Sequence, residues 1–425
     1  MKLTLKGARV IDPASGIDRV TDLHLAAGRI VGLDAHPDFH AEKVLELAGK
    51  WLLPGLVDIG AQLREPGPRY KGSLESESAA ALAGGYTRVA VRPDTSPVLD
   101  SASQVRTLHD RAQEVNGVRV VPLGALTQGL EGRLLANMAG LQGAGCVALT
   151  NLRRPLADAR VLRRCLEYAA THDIPVHFQA QEAALAAGGC AHEGALASRL
   201  GLPGIPESAE TTALAQWLLL IEQTGVRAHV AHLSTARGLE MVAEAKARGL
   251  PVTCDVTMAQ LHWTDATLAG FDANFHLEPP LRREADRQAL RQGVADGRID
   301  AIVSGHLPHE QAAKLAPFAA SEPGMSSLET VWALGQALVD EGVLDPLTLA
   351  ARLSLGPARV LGQGGGGLAA GEVADLAVFD PEAEWTPSGE SLRSAGLNTP
   401  LLGRPLKGRA LLTLVEGDIR HSGFL

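Results

Sequence analysis

The sequence predicts an α/β fold: eight parallel strands alternating with helices close into a barrel, and both chain ends form a small β-sandwich. Three observations predict it. Eight short apolar runs alternate with helical patterns through the middle of the chain, as buried parallel strands with helical crossovers do. Strand-like pieces separated by turn residues occupy both ends. The length of 425 residues suits one large domain and a smaller one.

Both ends of the chain contain short strand-like segments. The first 52 residues contain the strand-like pieces "LTLKGARVID", "TDLHLAAGRIVGL" and "KVLELAGKWLL", and "ADLAVFD" and "ALLTLVEGDIR" follow near the other end. We therefore expect residues 1–52 and 360–425 to be the two parts of one β-sandwich, with the barrel over 53–359. The stretch "GQGGGG" (362–367) predicts a flexible connector, an interpretation compatible with a simple surface loop.

The middle of the chain supplies the eight barrel strands. They are "GLVDIGA", "TRVAVRP", "VRVVPLGAL", "CVALTN", "IPVHFQA", "RAHVAHLS", "PVTCDVT" and "DAIVSGH". Helical patterns such as "DARVLRRCLEYAATH" and "TARGLEMVAEAKARG" lie between them. Eight such units predict a (β/α)8 TIM barrel, in which functional side chains lie at the carboxyl ends of the strands.

Composition excludes several classes of function. The chain has 39 basic and 48 acidic residues, a net charge of −9, which argues against nucleic acid or an anionic membrane as the main partner. Its 4 cysteines are scattered, so neither a disulfide framework nor a cysteine zinc site is expected. We find no signal-peptide pattern and no apolar run near the length of a membrane span. The expected location is the cytoplasm.

The strand ends carry a family resemblance over nearly the whole chain. The matching segments are "LREPG" (63–67), "RPDTSPVLD" (92–100), "EGALASRLGLPGIPESAE" (193–210), "HVAHLSTARG" (229–238), "GHLPH" (305–309), "SSLET" (326–330), "GEVADLAVFD" (371–380) and "LNTPLLG" (397–403). With these segments in this order, the chain resembles the dihydroorotases of the amidohydrolase superfamily. The resemblance implies a metal-dependent barrel that cyclises carbamoyl aspartate reversibly, with zinc polarising a carbonyl and a carboxylate acting as base.

The metal positions of that family are largely lost here. The resemblance places its ligands at Gly60 and Gln62 (first strand), Asn151 or Leu152 (fourth), Gln179 (fifth), His232 (sixth) and Gly305 (eighth, also the base). Only His232 keeps a ligating side chain. Because catalytic zinc usually takes three protein ligands and a water, we expect no metal, no cofactor and no catalytic residue.

The substrate positions are eroded as well. Arg64 matches the family arginine that grips the substrate carboxylate, but the family asparagine is Asp94 here, which would repel a dianion. The family histidine after the seventh strand is replaced by Ala259 or Gln260. We therefore treat Arg64 and Asp94 as vestiges of a binding site.

Each surviving side chain also has a structural interpretation. His232 is expected to be a hydrogen-bonded residue at a strand end, and Arg64 to pair with Glu65 or another acid. His177 lies two residues before Gln179, on the same side of a strand, and is the candidate for a relocated ligand. His229, three residues before His232, should face the opposite side and serve packing. The family has histidines at His306 and His309 too.

Among dihydroorotase relatives, the chain resembles the inactive dihydroorotase-like chain that accompanies the catalytic chain of some bacterial aspartate carbamoyltransferases. That resemblance implies a non-catalytic scaffold subunit in pyrimidine biosynthesis and a hetero-oligomer, with self-association left open. Two alternatives remain. One is an active cyclic-amide hydrolase with a relocated metal site at His177, His232 and His306, and the other is a sensor that binds an anion through Arg64.

Overall fold

The β-sandwich is built from both chain ends. The structure is a computed structural model that describes residues 2–34 and 38–424. The N-terminal strands are β1 (Lys2–Asp12), β2 (Ile17–Ala26), β3 (Arg29–Leu33), β4 (Lys43–Glu46) and β5 (Trp51–Pro54). The barrel strands are β6 (Leu56–Ala61), β7 (Tyr86–Val91), β8 (Arg119–Ala125), β9 (Ala148–Thr150), β10 (Val176–Gln179), β13 (Ala228–Ala231), β14 (Val252–Thr257) and β15 (Ala301–Val303). A two-stranded ribbon, β11 (Ala191–His192) and β12 (Gly204–Ile205), lies between β10 and β13 in the chain. The C-terminal strands are β16 (Leu376–Trp385), β17 (Leu406–Val415) and β18 (Asp418–Ser422).

The helices follow the strands. They are α1 (Leu74–Ala83), α2 (Ala102–Val115), α3 (Met138–Gly143), α4 (Ala159–Thr171), α5 (Ala183–Ala186), α6 (Ala195–Leu200), α7 (Glu207–Thr224), α8 (Ala236–Ala247), α9 (Met258–His262), α10 (Glu284–Ala295), α11 (Val331–Asp340), α12 (Pro346–Ala350) and α13 (Gly356–Val360). A π-helical segment, Ala351–Leu355, joins α12 to α13. Short 3-10 helices occupy Gln128–Leu130, Asp265–Gly270, Ala273–Phe275, Gln311–Lys314 and Phe318–Ala320.

Helix α4 illustrates how the sequence sets an element. The Asp158 side chain accepts from the Val161 backbone N–H (2.8 Å) and caps the first turn. Its buried residues, Leu162, Cys165, Leu166 and Ala169, recur at helical spacing. The helix therefore begins at a cap and presents one apolar stripe to the barrel, and it lies where the sequence predicted a helix.

The sandwich strands form one hydrogen-bonded sheet in the order β18-β17-β16-β5-β1-β2-β3, with β4 also paired to β1. The first part of β1 pairs with β4 and its later part with β5. A bulge between Leu5 and Ala8 lies between those two parts, and such bulges bend a strand. The bent sheet encloses a separate apolar core that includes Leu5, Val10 and Leu414.

The barrel sheet has the order β15-β14-β13-β10-β9-β8-β7-β6, and all of its pairings are parallel. Its first and last strands are joined just past their ends, where the Gln62 backbone N–H donates to the His306 carbonyl (3.0 Å). The Asp58 carboxylate adds a bond from the Ser304 backbone N–H (2.7 Å). The predicted eight-stranded barrel with a sandwich from both chain ends is confirmed.

Barrel and sandwich pack through aromatic side chains. Trp332 of α11 stacks on Phe379 of β16, with ring centroids 3.7 Å apart, and meets Trp51 of β5 edge-on at 6.1 Å. Trp332 and Phe379 are buried. Since β5 continues to Pro54 in the sandwich sheet, that sheet extends past the boundary expected at residue 52. The division at 1–52, 53–359 and 360–425 otherwise stays a prediction.

The glycine-rich stretch interpreted as a flexible connector is held at two points. Arg88 Nη1 donates to the Gly364 carbonyl (2.8 Å). Gly366 has φ +80° and passes so close to Leu355 that a Cβ on it would lie 2.7 Å from the Leu355 Cα. A residue with a side chain would be both strained and crowded there, so this glycine has a packing role.

Candidate functional site: the carboxyl end of the barrel

The first-strand positions, Gly60 and Gln62, are built into local structure. The Gln62 amide nitrogen donates to Asp94 Oδ1 (2.8 Å), and its amide oxygen accepts from the Arg64 backbone N–H (3.1 Å). Gln62 is 1% exposed. Both ends of this side chain are therefore used to hold the loops after β6 and β7.

An arginine lies over Gly60. Arg92, just past β7, has its Nη2 2.7 Å from Asp94 Oδ2. A Cβ added to Gly60 would lie 3.8 Å from Arg92 Cγ and 4.0 Å from Cδ. A long side chain at residue 60 would therefore compete with the Arg92 stem for space. Asp94, expected to repel anions, has its charge compensated by this pairing.

The fourth-strand register is resolved by the residues after β9. Asn151 Oδ1 accepts from the backbone N–H and the hydroxyl of Thr127 (3.2 and 2.9 Å), so its side chain fastens the loop after β8. Leu152, with φ +57°, lines the cavity inside the barrel. Thr150 of the strand lines the same cavity, so neither cavity-lining residue at this place is anionic.

Gln179 and His177 of β10 face the interior together, as their spacing predicted. Both line a cavity of about 30 Å³ with Gly60, Arg92 and His232. Within residues 2–34 and 38–424, neither His177 Nε2 nor Gln179 Nε2 has a hydrogen-bond partner, although both atoms are buried. Burial lowers the pKa of His177 well below its usual value, so the ring is neutral at physiological pH.

His232 lies just past β13 and turns inward. Its φ is +56°, and its backbone N–H donates to Asp255 Oδ1 (2.7 Å). Burial lowers the pKa of His232 to about 4 against the opposing effect of Asp255, and Arg92 and Arg153 add to the shift. Burial also raises the pKa of the Asp255 carboxyl to about 6. His232 is therefore neutral at physiological pH.

The expectation that His229 and His232 face opposite sides is wrong. His229 Nε2 lies 2.8 Å from Asp255 Oδ2, and its ring lies 4.9 Å from that of His177, inside the barrel. His232 lines the same interior because its left-handed backbone breaks the strand alternation after Ala231. His229 is buried and hydrogen-bonded on both nitrogens, the second to the Thr253 hydroxyl (2.8 Å).

The eighth-strand position has little room for a side chain. Gly305 has φ +64°, and a Cβ on it would lie 3.1 Å from Thr257 Cγ2. The neighbouring His306 is buried, with Nε2 2.9 Å from Glu77 Oε2 and Nδ1 accepting from the Ser327 backbone N–H (3.1 Å). His306 therefore has no free nitrogen for the relocated set with His177 and His232.

Arg64 was expected to pair with Glu65 or another acid, but it does not pair with Glu65. Its Nε and Nη2 donate to the Pro308 carbonyl (2.8 and 2.7 Å), and Nη2 lies 3.3 Å from His309 Nε2. Burial and then the Arg64 charge lower the pKa of His309 to about 4. Glu65 instead accepts from Arg111 Nε (2.9 Å). Arg64 thus ties the loop after β6 to the loop after β15.

The position after the seventh strand is also resolved. Gln260 donates through its amide to the Pro279 and Pro280 carbonyls (3.3 and 3.1 Å) and supports their loop. Ala259 lines the mouth pocket. The residue that faces the pocket at this place is therefore a small apolar one.

The mouth pocket contains groups that the sequence interpretation missed. It has a volume of about 40 Å³ and is lined by Arg92, Arg153, His232, Thr257, Ala259, Leu277, Glu278, Pro279, Ser304, Gly305, Leu307, Pro323, Gly324 and Met325. Arg153 Nη2 lies 2.8 Å from Glu278 Oε2. The signal for both arginines was present, because each follows a barrel strand at its carboxyl end.

The residues at these positions do not fit the metal that the resemblance implies. Across residues 2–34 and 38–424, no three or more His, Cys, Asp or Glu side chains are grouped so that they could hold a metal ion. Gln62 is hydrogen-bonded to its neighbours, and neither Gly60 nor Gly305 has a side chain that could ligate a metal. We therefore derive no step through a metal at this site.

Fold and strand-end loops together define an amidohydrolase-type barrel protein, and the chain belongs to the dihydroorotase-like family. A family model described as "Dihydro-orotase-like" matches residues 49–238. A "Dihydroorotase-like protein" from Pseudomonas aeruginosa is 53% identical over 100% of both chains. A "Dihydroorotase" from Anaeromyxobacter dehalogenans is 42% identical over 99% of this chain and 98% of that one.

Among solved structures, the L-hydantoinase (dihydropyrimidinase) from Arthrobacter aurescens superposes with a TM-score of 0.89. The alignment covers 99% of this chain and 96% of that one at 22% identity, which is a likeness of fold. In the part of the chain that the structure describes, no helix is long and apolar enough to cross a membrane.

Proposed function

We propose that this chain is a catalytically inactive dihydroorotase-like scaffold subunit that assembles with aspartate carbamoyltransferase and supports it in pyrimidine biosynthesis. The observation that carries the proposal is the state of the first-strand site. Arg92 lies over Gly60, where a ligand side chain would be needed, and Gln62 is hydrogen-bonded to Asp94 and to the Arg64 backbone.

The loss of the family's general base at its expected position supports inactivity independently of any metal. The position that carries the family aspartate is Gly305, whose backbone is left-handed. Asp255, an acid that lines the inner cavity, already accepts hydrogen bonds from His229 and from the His232 backbone N–H. A general base must lie within hydrogen-bond distance of the reacting proton. Gly305 has no side chain, and the Asp255 carboxylate is already hydrogen-bonded, so neither residue serves as that base.

The intact frame supports a structural role. The barrel is joined between Gln62 and His306, its bottom is filled by apolar residues such as Val57, Val121 and Leu361, and the sandwich has its own core. A barrel can serve as a scaffold once its chemistry is lost. The partner and the cytoplasmic location rest on the resemblance to the inactive chains of bacterial aspartate carbamoyltransferases.

Turnover and metal content test the inactive state. The full chain, purified with zinc in the buffer, should hydrolyse neither dihydroorotate nor a hydantoin above the buffer rate, and should retain less than one equivalent of zinc after dialysis. An active dihydroorotase assayed in parallel is the control. Turnover that scales with the concentration of this chain, together with stoichiometric zinc, would contradict the proposal.

A further inference from the structure

The interior of the barrel contains polar groups that the scaffold role does not use. The inner cavity lies against β10 and is lined by His177, Gln179, His232 and Asp255 together with apolar residues. The mouth pocket shares Arg92 and His232 with it. The two spaces therefore adjoin at these two side chains.

Two buried nitrogen atoms without a partner among the described residues belong to side chains that line the inner cavity. His177 Nε2 and Gln179 Nε2 have no hydrogen-bond partner in the described part of the chain. Buried polar atoms in folded proteins nearly always have a partner, either in the protein or in an ordered water. The neutral His177 ring and the Gln179 amide can each donate to an oxygen atom without adding charge.

Two guanidinium groups stand at the mouth with donors to spare. Among the described residues, Arg92 bonds to Asp94 through Nε and Nη2, which leaves Nη1. Arg153 contacts Glu278 through Nη2. A guanidinium has five N–H donors, so each of these groups can hold its carboxylate partner and still bind a further oxygen.

The guanidinium donors around this space favour an oxyanion. Arg92 and Arg153 each help to hold the pKa of His232 down, which places both positive charges near that ring. The acids that face the space are committed, Asp94 and Glu278 to the two arginines and Asp255 to His229 and His232. Guanidinium pairs recognise carboxylate and phosphate oxygens through charge-assisted hydrogen bonds.

We propose that the barrel mouth binds a small oxyanion between Arg92 and Arg153, with Gln179 and His177 donating to an oxygen that reaches the inner cavity. In this arrangement the positive charge at the site comes from guanidinium groups of the protein and not from a metal ion. This inference goes beyond the scaffold role and does not depend on it. The shared chemistry is an anionic oxygen, which a phosphate or a carboxylate would provide.

Binding is measured by calorimetry and by thermal unfolding of the full chain, with inorganic phosphate and acetate titrated separately at constant ionic strength against chloride. We expect saturable binding of one or both probes. Arg153→Gln and Gln179→Leu should each weaken it by about tenfold or more, because each removes a donor to a charged group.

Arg154→Gln is the matched control, since Arg154 is the exposed neighbour of Arg153, and it should bind as the parent does. The Gln179→Leu substitution removes the Nε2 atom, which has no partner among the described residues. This variant should therefore fold even if the Arg153→Gln variant does not. Phosphate binding without acetate binding would assign a phosphate site, and the reverse a carboxylate site. The proposal is overturned if neither probe saturates, or if Arg154→Gln weakens binding as much as Arg153→Gln does.

Discussion

At the scale of single residues, the loss of the metal ligand at Gly60 is linked to the presence of the Arg92 guanidinium nearby. Gly60 leaves room for the Arg92 stem, and the Arg92 guanidinium in turn compensates the charge of Asp94. Gln62 bonds to the same carboxylate. Reversing one of these changes alone should therefore disturb the others, and it should not rebuild a metal site.

Two substitutions at residue 60 test this coupling. Gly60→Ala places a Cβ 3.8 Å from Arg92 Cγ, an ordinary contact, and should leave the free energy of unfolding nearly unchanged. Gly60→His must displace the Arg92 stem, and we expect it to lower that free energy by about 1–3 kcal/mol, as overpacking does. Denaturant unfolding of both variants makes the comparison. A histidine tolerated as well as the alanine would show that Arg92 does not hold this space.

At the scale of elements, the sequence predicted the strands well because their signals are local. All eight apolar runs became barrel strands, and α4 and α8 lie where helical periodicity placed them. The side-chain directions after the strand ends were less predictable. His232 faces inward because its φ is +56°. The alternation of residue types along the sequence does not show that the side-chain direction changes at this residue.

The site was predictable where the family resemblance or the strand spacing pointed to a residue. Positions such as Gly60 and Gly305 were found by matching motifs, and their lack of ligating atoms needs no coordinates. The role of Arg92 and Arg153 depends on loops after different strands meeting at one mouth, which periodicity does not encode. The partner of Arg64 was a carbonyl 244 positions away in the chain, at Pro308. No local pattern indicates such a contact.

The packing of the sandwich on the barrel gives an element-level prediction. Trp332 is 1% exposed and stacks on Phe379. Trp332→Ala should lower the free energy of unfolding by about 3–5 kcal/mol, the usual cost of removing a buried aromatic side chain. Leu219→Ala, on a 65% exposed side chain of α7, is the control and should change it by less than about 0.5 kcal/mol. Equal effects in chemical denaturation would mean that this contact does not join the two parts.

At the scale of the whole molecule, buried neutral histidines set the response to acid. Burial holds the pKa of His192, His232, His262 and His309 at about 4 and that of His229 at about 3. Unfolded histidines titrate near 6.5, so below that pH the unfolded chain binds more protons than the folded one. Asp255 and Glu329 act oppositely, because burial raises their pKa values to about 6 and about 7, but they are outnumbered.

Stability should therefore fall steadily as the pH drops from 6.5 towards 4. His262→Gln keeps a donor for the Leu334 carbonyl, 3.0 Å from His262 Nε2, and removes one titration. We expect this variant to reduce the slope by up to about 1.4 kcal/mol per pH unit. His172→Gln, at an exposed position, is the control for the substitution itself. Denaturant unfolding at several pH values measures it, and a flat profile from pH 7 to pH 5 would contradict the linkage.

The role of the whole molecule is tested most directly by its mass in solution with the proposed partner. This chain and an aspartate carbamoyltransferase catalytic chain from the same source are mixed and passed over a sizing column with light scattering, and each chain is also run alone. The proposal predicts one peak that contains both chains at a fixed ratio and whose mass exceeds that of either chain run alone. Two separate peaks at micromolar concentrations, each with the mass seen alone, would contradict it.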